Sequence, residues 1–303
     1  MTDEMNLQAT LEELDQDLST EEKEAIFETF DRILGYVPRV GVLGKTGVGK
    51  SSICNTLFGK DIFEVSDVEA CTRDPQDVLL RLGKNQGITL LDVPGVGENE
   101  DRDREYAALY EKLLPELDLV LWVLKADDRA HSVDIQFYQE LVKPHLDQGT
   151  PFLVVLNQAD KVEPFREWDE ANGRPGPKQG DNIDQKINNV AETFGISGSD
   201  VLPISAQEGY GLTRLVERML AVLPDEKKVS VARQIRDEHF SNDSREELRE
   251  STRRIIQRAV KGAGTGATIG GSIGQRVGGA RGAAIGATIG AIAGAIGGAL
   301  NLF

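Results

Sequence analysis

The chain has 303 residues, of which 40% are hydrophobic, enough for one large domain or two ordinary ones with a proper core. Its 34 basic and 50 acidic side chains give a formal net charge of −16. Because phosphate contacts need Lys and Arg, this charge argues against a nucleic-acid binder that acts through a general basic surface.

Residues 1–36 form an acidic segment in which we predict two helices. Leucines recur at three- and four-residue spacing between Leu7 and Leu18, which indicates an amphipathic helix. Ser19 followed by Glu22 is typical of a capping box that opens a second helix. We expect these helices to pack on the main domain, with contact to a partner as the alternative. The acidic start is unlike a secretory signal, and two cysteines fit a reducing cytoplasm.

Residues 37–223 alternate apolar strand-like runs with helical patterns. Because the runs are apolar on both faces, they predict an α/β domain with a mostly parallel six-stranded sheet flanked by helices. Residues 163–180, rich in Pro and Gly, predict an inserted loop, and residues 224–261 predict a charged helical segment with a break near Ser241. The six runs are VPRVGVL, DVLLRL, ITLLDV, LVLWVL, FLVVLN and VLPIS.

The string GKTGVGKS, residues 44–51, follows an apolar strand and opens a helical pattern, which is the context that a phosphate-binding P-loop requires. Its glycines let backbone amides turn onto phosphates, the Lys50 ammonium reaches the β and γ phosphates, and the Ser51 hydroxyl suits Mg²⁺. The sequence therefore predicts a nucleoside triphosphate held by Gly44, Lys45, Thr46, Gly47, Val48, Gly49, Lys50, Ser51 and Ser52.

Further strings decide between ATP and GTP, because they resemble the motifs of GTPases. Residues 92–95, DVPG, match the DxxG element, which implies that Asp92 holds Mg²⁺ through water and that the Gly95 amide senses the γ phosphate. Residues 157–160, NQAD, match the NKxD element with Gln158 in place of Lys. A carboxylate at Asp160 can accept hydrogen bonds from guanine N1 and N2, donors that adenine lacks.

Ser205-Ala206-Gln207 resembles the SAK element, in which the Ala amide contacts guanine O6. The shorter, uncharged Gln158 should lower affinity by about 1 kcal/mol, the size of one modest contact. Guanine remains the expected base because Asp160 carries the specificity. The resemblance thus implies guanine contacts from Asn157, Gln158, Asp160, Ser205, Ala206 and Gln207.

The stretch from Ser51 to Asp74 resembles the switch of the Era-like GTPases, the class of Era, TrmE and EngA. The similarity covers residues 37–223 and is greatest to YfjP-like bacterial GTPases, which share GKTG, ACTRD, KADDRA and EPFREW. It implies that Thr72 closes over Mg²⁺ and the γ phosphate. It also implies an enzyme that converts GTP to GDP and phosphate, with catalytic groups at Lys50, Thr72 and Gly95 and metal ligands at Ser51, Thr72 and Asp92.

Val96 stands where Ras-like GTPases carry the Gln that positions the attacking water. We therefore expect slow intrinsic hydrolysis, stimulated by a dimer, a membrane or a partner that stabilises the transition-state charge. Candidate arginines are Arg73, Arg102, Arg104 and Arg129. A GTP-binding scaffold that does not hydrolyse is one alternative.

Residues 262–303 form a tail with glycine at every fourth position, and in a helix this spacing makes the close-packing ridge of a glycine zipper. Residues 282–303 carry no charge, and at about 1.5 Å per residue their helix would be about 33 Å long, enough to cross a bilayer core. We expect the tail to associate with the cytoplasmic membrane or to assemble copies of the chain. A disordered tail and a soluble hairpin are the alternatives.

A ribosome-associated or RNA-associated assembly GTPase like Era is the other functional alternative. Era-type binding uses a basic appended RNA domain, whereas the segment after residue 223 carries mixed charge. Its arginines at 245, 249, 253, 254 and 258 also suit an anionic lipid headgroup beside the tail. The predicted partners are GTP and GDP, a second copy of the chain and membrane lipid, with nucleic acid expected only through a ribosome.

Overall fold

The computed structural model describes residues 18–45, 47–59, 77–83, 86–92, 111, 113–128, 132–146, 149–265, 293–295 and 297–298. The chain divides into two compact units. The sheet unit consists of residues 37–223 and 234–240, and the helical unit of residues 1–36, 224–233 and 241–303. The first of the two predicted N-terminal helices lies outside the described residues.

Helix α1, Thr20–Gly35, begins at the capping box that the sequence predicted. The Ser19 hydroxyl accepts a hydrogen bond from the Glu22 N–H at 3.2 Å, and the Glu22 carboxylate accepts one from the Ser19 N–H at 2.8 Å. These bonds satisfy two amide donors that a helix leaves unpaired at its start. One apolar face of α1 is buried in the helical unit, with Ile26, Phe30, Ile33 and Leu34 inside.

Six strands form the sheet, as predicted, and each apolar run of the sequence contributes one. They are β1 Arg39–Leu43, β2 Asp77–Gly83, β3 Gln86–Asp92, β4 Leu119–Lys125, β5 Phe152–Asn157 and β6 Val201–Pro203. Their order is β2-β3-β1-β4-β5-β6, and all neighbours run parallel except β2 and β3, which are antiparallel. The carboxyl ends of β1, β3, β5 and β6 therefore share one edge of the sheet.

Both faces of the central strands are covered. Residues 119–124 of β4 are all buried, and successive side chains of a strand point to opposite faces. Trp122 packs against Phe137 with ring centroids 5.9 Å apart. Among the described residues of this unit, the helices with given bounds are α2 Lys50–Phe58, α3 Ser132–Phe137, α4 Lys143–Leu146, α5 Pro177–Phe194 and α6 Leu212–Val222, with a π turn at Tyr138–Val142 between α3 and α4.

The inserted loop predicted at residues 163–180 ends earlier, because α5 begins at Pro177. Proline suits the first position of a helix, where its missing N–H would have no helical partner. The insertion therefore covers residues 163–176 and has structure of its own. It contains a 3-10 turn at Phe165–Glu167 and a β-bridge between Asp169 and Arg174.

Two helices, α7 Asp225–Ala232 and α8 Asn242–Thr265, form the charged segment after residue 223, as predicted. The break between them is longer than expected and begins at residue 233, because residues 234–240 pack in the sheet unit. There the Arg236 N–H donates to the Leu57 carbonyl at 2.9 Å. Helix α8 also continues past residue 261 into the glycine-rich segment.

Helices α1, α7 and α8 pack together in the helical unit. The Ser230 hydroxyl of α7 donates to the Ile33 carbonyl of α1 at 3.1 Å, and Ile255 and Ile256 of α8 are buried. In the tail, residues 293–295 and 297–298 are helical. Within the described ranges of the chain, no helix is both long enough and apolar enough to span a bilayer.

Carboxylates neutralise four of the five arginines of α8 that the sequence analysis named as a basic cluster. Asp225 of α7 lies 2.7 Å from the Arg254 guanidinium and 3.0 Å from that of Arg258. Arg249 pairs with Glu246, and Arg253 pairs with Glu250. The expectation of a basic face for lipid headgroups is therefore weakened, because these four side chains already have anionic partners.

Burial raises the pKa of the Asp225 carboxyl, but hydrogen bonds and charge from Arg254 outweigh it and hold that pKa below its usual range. The same balance holds for Glu247, where burial is outweighed by Lys228 and Arg254, so that its pKa is also lowered. Both carboxylates therefore stabilise the helical unit in the ionised state.

Replacing Asp225 by Asn should lower the free energy of local unfolding of α7 and α8 by about 1–2 kcal/mol at neutral pH. This value allows for solvent screening at the exposed Arg254. Because the folded pKa of Asp225 is the lower one, its contribution is complete above the unfolded pKa near 4. It is lost as the pH falls through the folded pKa. Amide hydrogen exchange of α7 and α8 should show the difference between variant and wild type at pH 7 and not in strong acid.

Glu246→Gln is the matched control, because Glu246 forms an exposed pair with Arg249 on the same helix. We expect it to change protection by less than about 0.5 kcal/mol. A loss of protection in Asp225→Asn that persisted unchanged into strong acid would contradict the role given to the ionised carboxylate.

Candidate nucleotide-binding site

The loop between β1 and α2 is shaped by glycines that no other residue could replace without strain. Gly44 has φ 143°, and a Cβ there would lie 2.3 Å from the Val123 carbonyl oxygen. Gly49 has φ 92°, and a Cβ there would lie 2.3 Å from the side-chain nitrogen of Asn157. The loop therefore packs directly on β4 and on the end of β5, and its shape is that of a phosphate cradle.

The Lys50 side chain lies within this loop and is buried. Its ammonium donates to the Gly44 carbonyl at 3.0 Å and to the Lys45 carbonyl at 3.1 Å. Ser51, half-buried, and Ser52, exposed, follow in the first turn of α2. The predicted phosphate-binding groups thus come together at one helix start. Thr46 lies outside the described residues.

Asp134 of α3 contacts the phosphate loop, and the sequence analysis did not identify it. Its carboxylate lies 2.6 Å from the Lys45 ammonium and is only 3% exposed. No motif marks Asp134, since its role depends on a contact between residues far apart in the chain. This ion pair, in which only the carboxylate is fully buried, holds the side of the loop that faces α3.

Asn157 connects the phosphate loop to the loops predicted to bind the base. Its side-chain amide is buried, donates to the Val48 carbonyl at 2.8 Å and accepts from the Ala206 N–H at 3.2 Å. One side chain therefore joins the loops that follow β1, β5 and β6. In the structure the Ala206 amide, the predicted donor to guanine O6, makes this bond to Asn157.

Gln158 lies across the phosphate loop. It has the left-handed φ of 64°, and its side-chain nitrogen donates to the Gly47 carbonyl at 3.4 Å. Its side-chain oxygen accepts from the Lys161 ammonium at 3.1 Å. Hydrogen bonds to both its nitrogen and its oxygen therefore hold this uncharged amide beside the phosphate loop.

Asp160 opens onto a cleft that the two loops predicted to bind the base share with the insertion. Asp160 and Lys161 come from the loop after β5, and Glu208 from the loop after β6. Phe165, Trp168 and Glu170 of the insertion line the rest. Ser205 is buried and exchanges two backbone hydrogen bonds with Tyr210, while Gln207 is exposed.

The predicted metal ligands are described only in part. Asp92 ends β3 and pairs in register with Val42 of β1, so that its backbone lies near the start of the phosphate loop. A hydroxyl at Ser51 and a carboxylate at Asp92 are oxygen donors of the kind that Mg²⁺ prefers, and the residues therefore fit this ion. Thr72, Gly95, Val96 and the four candidate arginines lie outside the described residues. Within the described ranges, no group of three or more His, Cys, Asp or Glu side chains could hold a metal.

Two family models match the chain. The model described as a 50S ribosome-binding GTPase matches residues 39–158, which contain the phosphate loop and the first residues of the NQAD string. The model described as a YMGG-like Gly-zipper matches residues 250–301, which contain most of the glycine-rich tail.

Several related chains also match this one. YkfA of Escherichia coli K12 is 43% identical over 70% of this chain and 71% of its own length. YfjP of the same strain is 39% identical over 74% of this chain and 75% of its own length. GTPase Era of Aquifex aeolicus is 29% identical over 63% of this chain but only 58% of its own length.

Among solved structures, a variant of Aquifex aeolicus Era bound to GDP and AlF4⁻ matches with 24% identity and a TM-score of 0.44. The match covers 62% of this chain and 57% of that one. The phosphate loop, the ordered motifs and the two relatives that match over most of their length all lead to one assignment. The chain belongs to the family of YkfA and YfjP, within the Era-like P-loop GTPases.

Proposed function

We propose that the chain is a Mg²⁺-dependent, guanine-specific switch that hydrolyses GTP slowly by itself and faster when it self-associates or meets a partner. The observation that carries the proposal is the position of Asn157, whose buried amide joins the phosphate loop to the loop after β6. Because the loops after β1, β5 and β6 meet there, phosphates and base can be held at one place.

In this proposal the residues from Gly44 to Ser52 hold the phosphates, with the Lys50 ammonium directed to the β and γ groups. Ser51, Thr72 and Asp92 would hold Mg²⁺, which neutralises charge on the β and γ phosphates when it is bound. Thr72 and the Gly95 amide would report the γ phosphate to the rest of the protein. Asn157, Gln158, Asp160, Ser205, Ala206 and Gln207 would surround the base.

Slow intrinsic turnover is proposed because Val96 cannot orient a water molecule by hydrogen bonding. The missing stabilisation would come from an arginine supplied when a second copy or a partner binds. The match to a Gly-zipper family supports a tail that brings copies together or associates with the cytoplasmic membrane from its cytoplasmic side. Since four of the five arginines in the cluster on α8 are paired with carboxylates, we assign this role to the apolar tail.

A ribosome is the second candidate partner, because the family model that matches residues 39–158 is described as ribosome-binding. The net charge of −16 and the paired arginines of α8 disfavour binding through a basic surface. Co-sedimentation with 50S subunits that persists at high salt, and depends on GTP, would favour this candidate over the membrane.

Replacing Asp160 by Ala should remove the preference for GTP over ATP. Two hydrogen bonds from guanine to a charged acceptor are worth about 1.5–3 kcal/mol each, so the preference should fall by about 100-fold or more. Equilibrium binding of labelled GTP and ATP measures it. Glu170→Gln, which changes another carboxylate of the same cleft, is the control and should keep the preference. A full preference in Asp160→Ala would refute the proposed base recognition.

Phosphate release should rise with protein concentration or on addition of vesicles that contain anionic lipid, by about tenfold or more if an arginine is supplied in trans. A chain that ends at Thr265 keeps α8 whole and should lose this stimulation while it keeps its basal rate. Vesicle flotation of both forms shows whether lipid or self-association is responsible. Equal turnover per molecule in dilute and concentrated full-length protein, with and without vesicles, would contradict activation by assembly or membrane.

A further inference from the structure

We propose that the insertion at residues 163–176 positions the guanine-recognition turn, and that Gln179, in the first turn of α5, is the residue through which it acts. This inference rests on the proposed recognition of guanine by Asp160. It assigns a role in base selectivity to a segment and a side chain that no nucleotide motif includes.

Gln179 holds the second half of the turn that carries Asp160, from Asp160 itself to Val162, the residue after the turn. Its side chain is completely buried, and its nitrogen donates to the Asp160 carbonyl at 3.0 Å and to the Val162 carbonyl at 2.9 Å. Between these two carbonyls lies the last residue of the 3-10 turn Ala159–Lys161. Both N–H groups of one amide therefore fix the backbone from which the Asp160 carboxylate projects.

The insertion determines where Gln179 lies. The Glu167 carboxylate accepts from the backbone N–H groups of Lys178 at 2.9 Å and of Gln179 at 3.3 Å. It thereby supplies partners to the start of α5, which has no side-chain cap at Gly176. Gly176 itself lies so close to Glu167 that a Cβ would be 2.6 Å from the Glu167 carbonyl oxygen. The start of α5 is thus fixed by a residue of the insertion.

The insertion also contacts the loop after β6. The Trp168 ring packs edge-on against Tyr210, with centroids 5.5 Å apart. Tyr210 in turn exchanges backbone hydrogen bonds of 3.0 and 3.1 Å with Ser205, next to Ala206. The same short segment therefore supports both loops that are proposed to contact the base, and it closes one side of the cleft at Asp160.

Support of this kind matters because hydrogen bonds to a carboxylate weaken steeply when their geometry is poor. A turn that moves by about 1 Å costs much of the pairing even though the Asp160 side chain is still present. The effect is specific to the edge of guanine that Asp160 contacts, since the phosphates are held by the loop after β1.

Gln179→Met tests the proposal, because Met has a similar size but cannot donate to the two carbonyls. The readout is the ratio of the affinities for GDP and IDP, measured by titration calorimetry on the full chain. Hypoxanthine lacks the 2-amino group of guanine, so IDP makes one hydrogen bond fewer to Asp160. Wild type should prefer GDP by about tenfold or more, and Gln179→Met should reduce this ratio by about fivefold or more. A purely structural defect would weaken both nucleotides alike and leave the ratio unchanged.

Asn182→Leu is the matched control on the same helix. Its amide also donates to a carbonyl of the chain, that of Glu163 at 2.6 Å, but not to the turn that carries Asp160. We expect the GDP to IDP ratio of this variant to equal that of wild type. Tryptophan fluorescence reports folding of the sheet unit, because both tryptophans of the chain, Trp122 and Trp168, belong to it.

Gln179→Asn is the second variant, which keeps an amide but shortens its reach, and it decides the matter if Gln179→Met does not fold. A GDP to IDP affinity ratio below that of wild type in either folded variant supports the proposal. A ratio equal to that of wild type in the folded variants overturns it. Asp160→Ala is measured alongside. If Asp160→Ala keeps the wild-type ratio, the proposed guanine recognition fails. If Asp160→Ala loses the ratio while the Gln179 variants keep it, only the role of Gln179 fails.

Discussion

The candidate nucleotide site depends on one buried side chain, the amide of Asn157. A buried amide must have partners for its donor and its acceptor, and here the partners are the Val48 carbonyl and the Ala206 N–H. Because these belong to the loops after β1 and β6, neither of the two loops can move away from Asn157 without breaking a buried hydrogen bond. Gly49 is part of the same constraint, since any side chain there would occupy the space of the Asn157 amide.

The sheet and the loops at its carboxyl edge could be predicted from the sequence, because apolar runs and glycine motifs are local signals. Each of the six runs became a strand, and the motifs follow β1, β3, β5 and β6. That these loops bind guanine and Mg²⁺ stays a prediction. Asp134 and Gln179 could not be found this way, because their roles depend on contacts between distant residues. The start of α5 was misplaced because Pro and Gly indicate a loop, although Pro177 opens a helix.

The charges of the helical unit also could not be predicted correctly from the sequence, because their effect depends on contacts between distant residues. The spacing of arginines along α8 indicated a basic face, but the sequence could not show that α7 brings Asp225 against Arg254 and Arg258. These ion pairs hold α7 to α8 and leave little net positive charge for lipid or RNA. Any role of this unit at a membrane must then come mainly from apolar burial and small-residue packing in the tail, which salt screens far less than it screens charge.

If the base binds as proposed, the replacement of the usual Lys by Gln158 changes how it is held. A lysine stem would cover one face of the base, whereas Gln158 is tied to Gly47 and Lys161. Less of the binding energy can then come from contacts with the face of the base. More must come from hydrogen bonds at its edge, which weaken steeply when their angles are poor. A site that relies on the edge needs a rigid carboxylate. In the proposed site, the two hydrogen bonds from Gln179 to the turn of Asp160, and the insertion that fixes Gln179, would supply that rigidity from outside the nucleotide motifs.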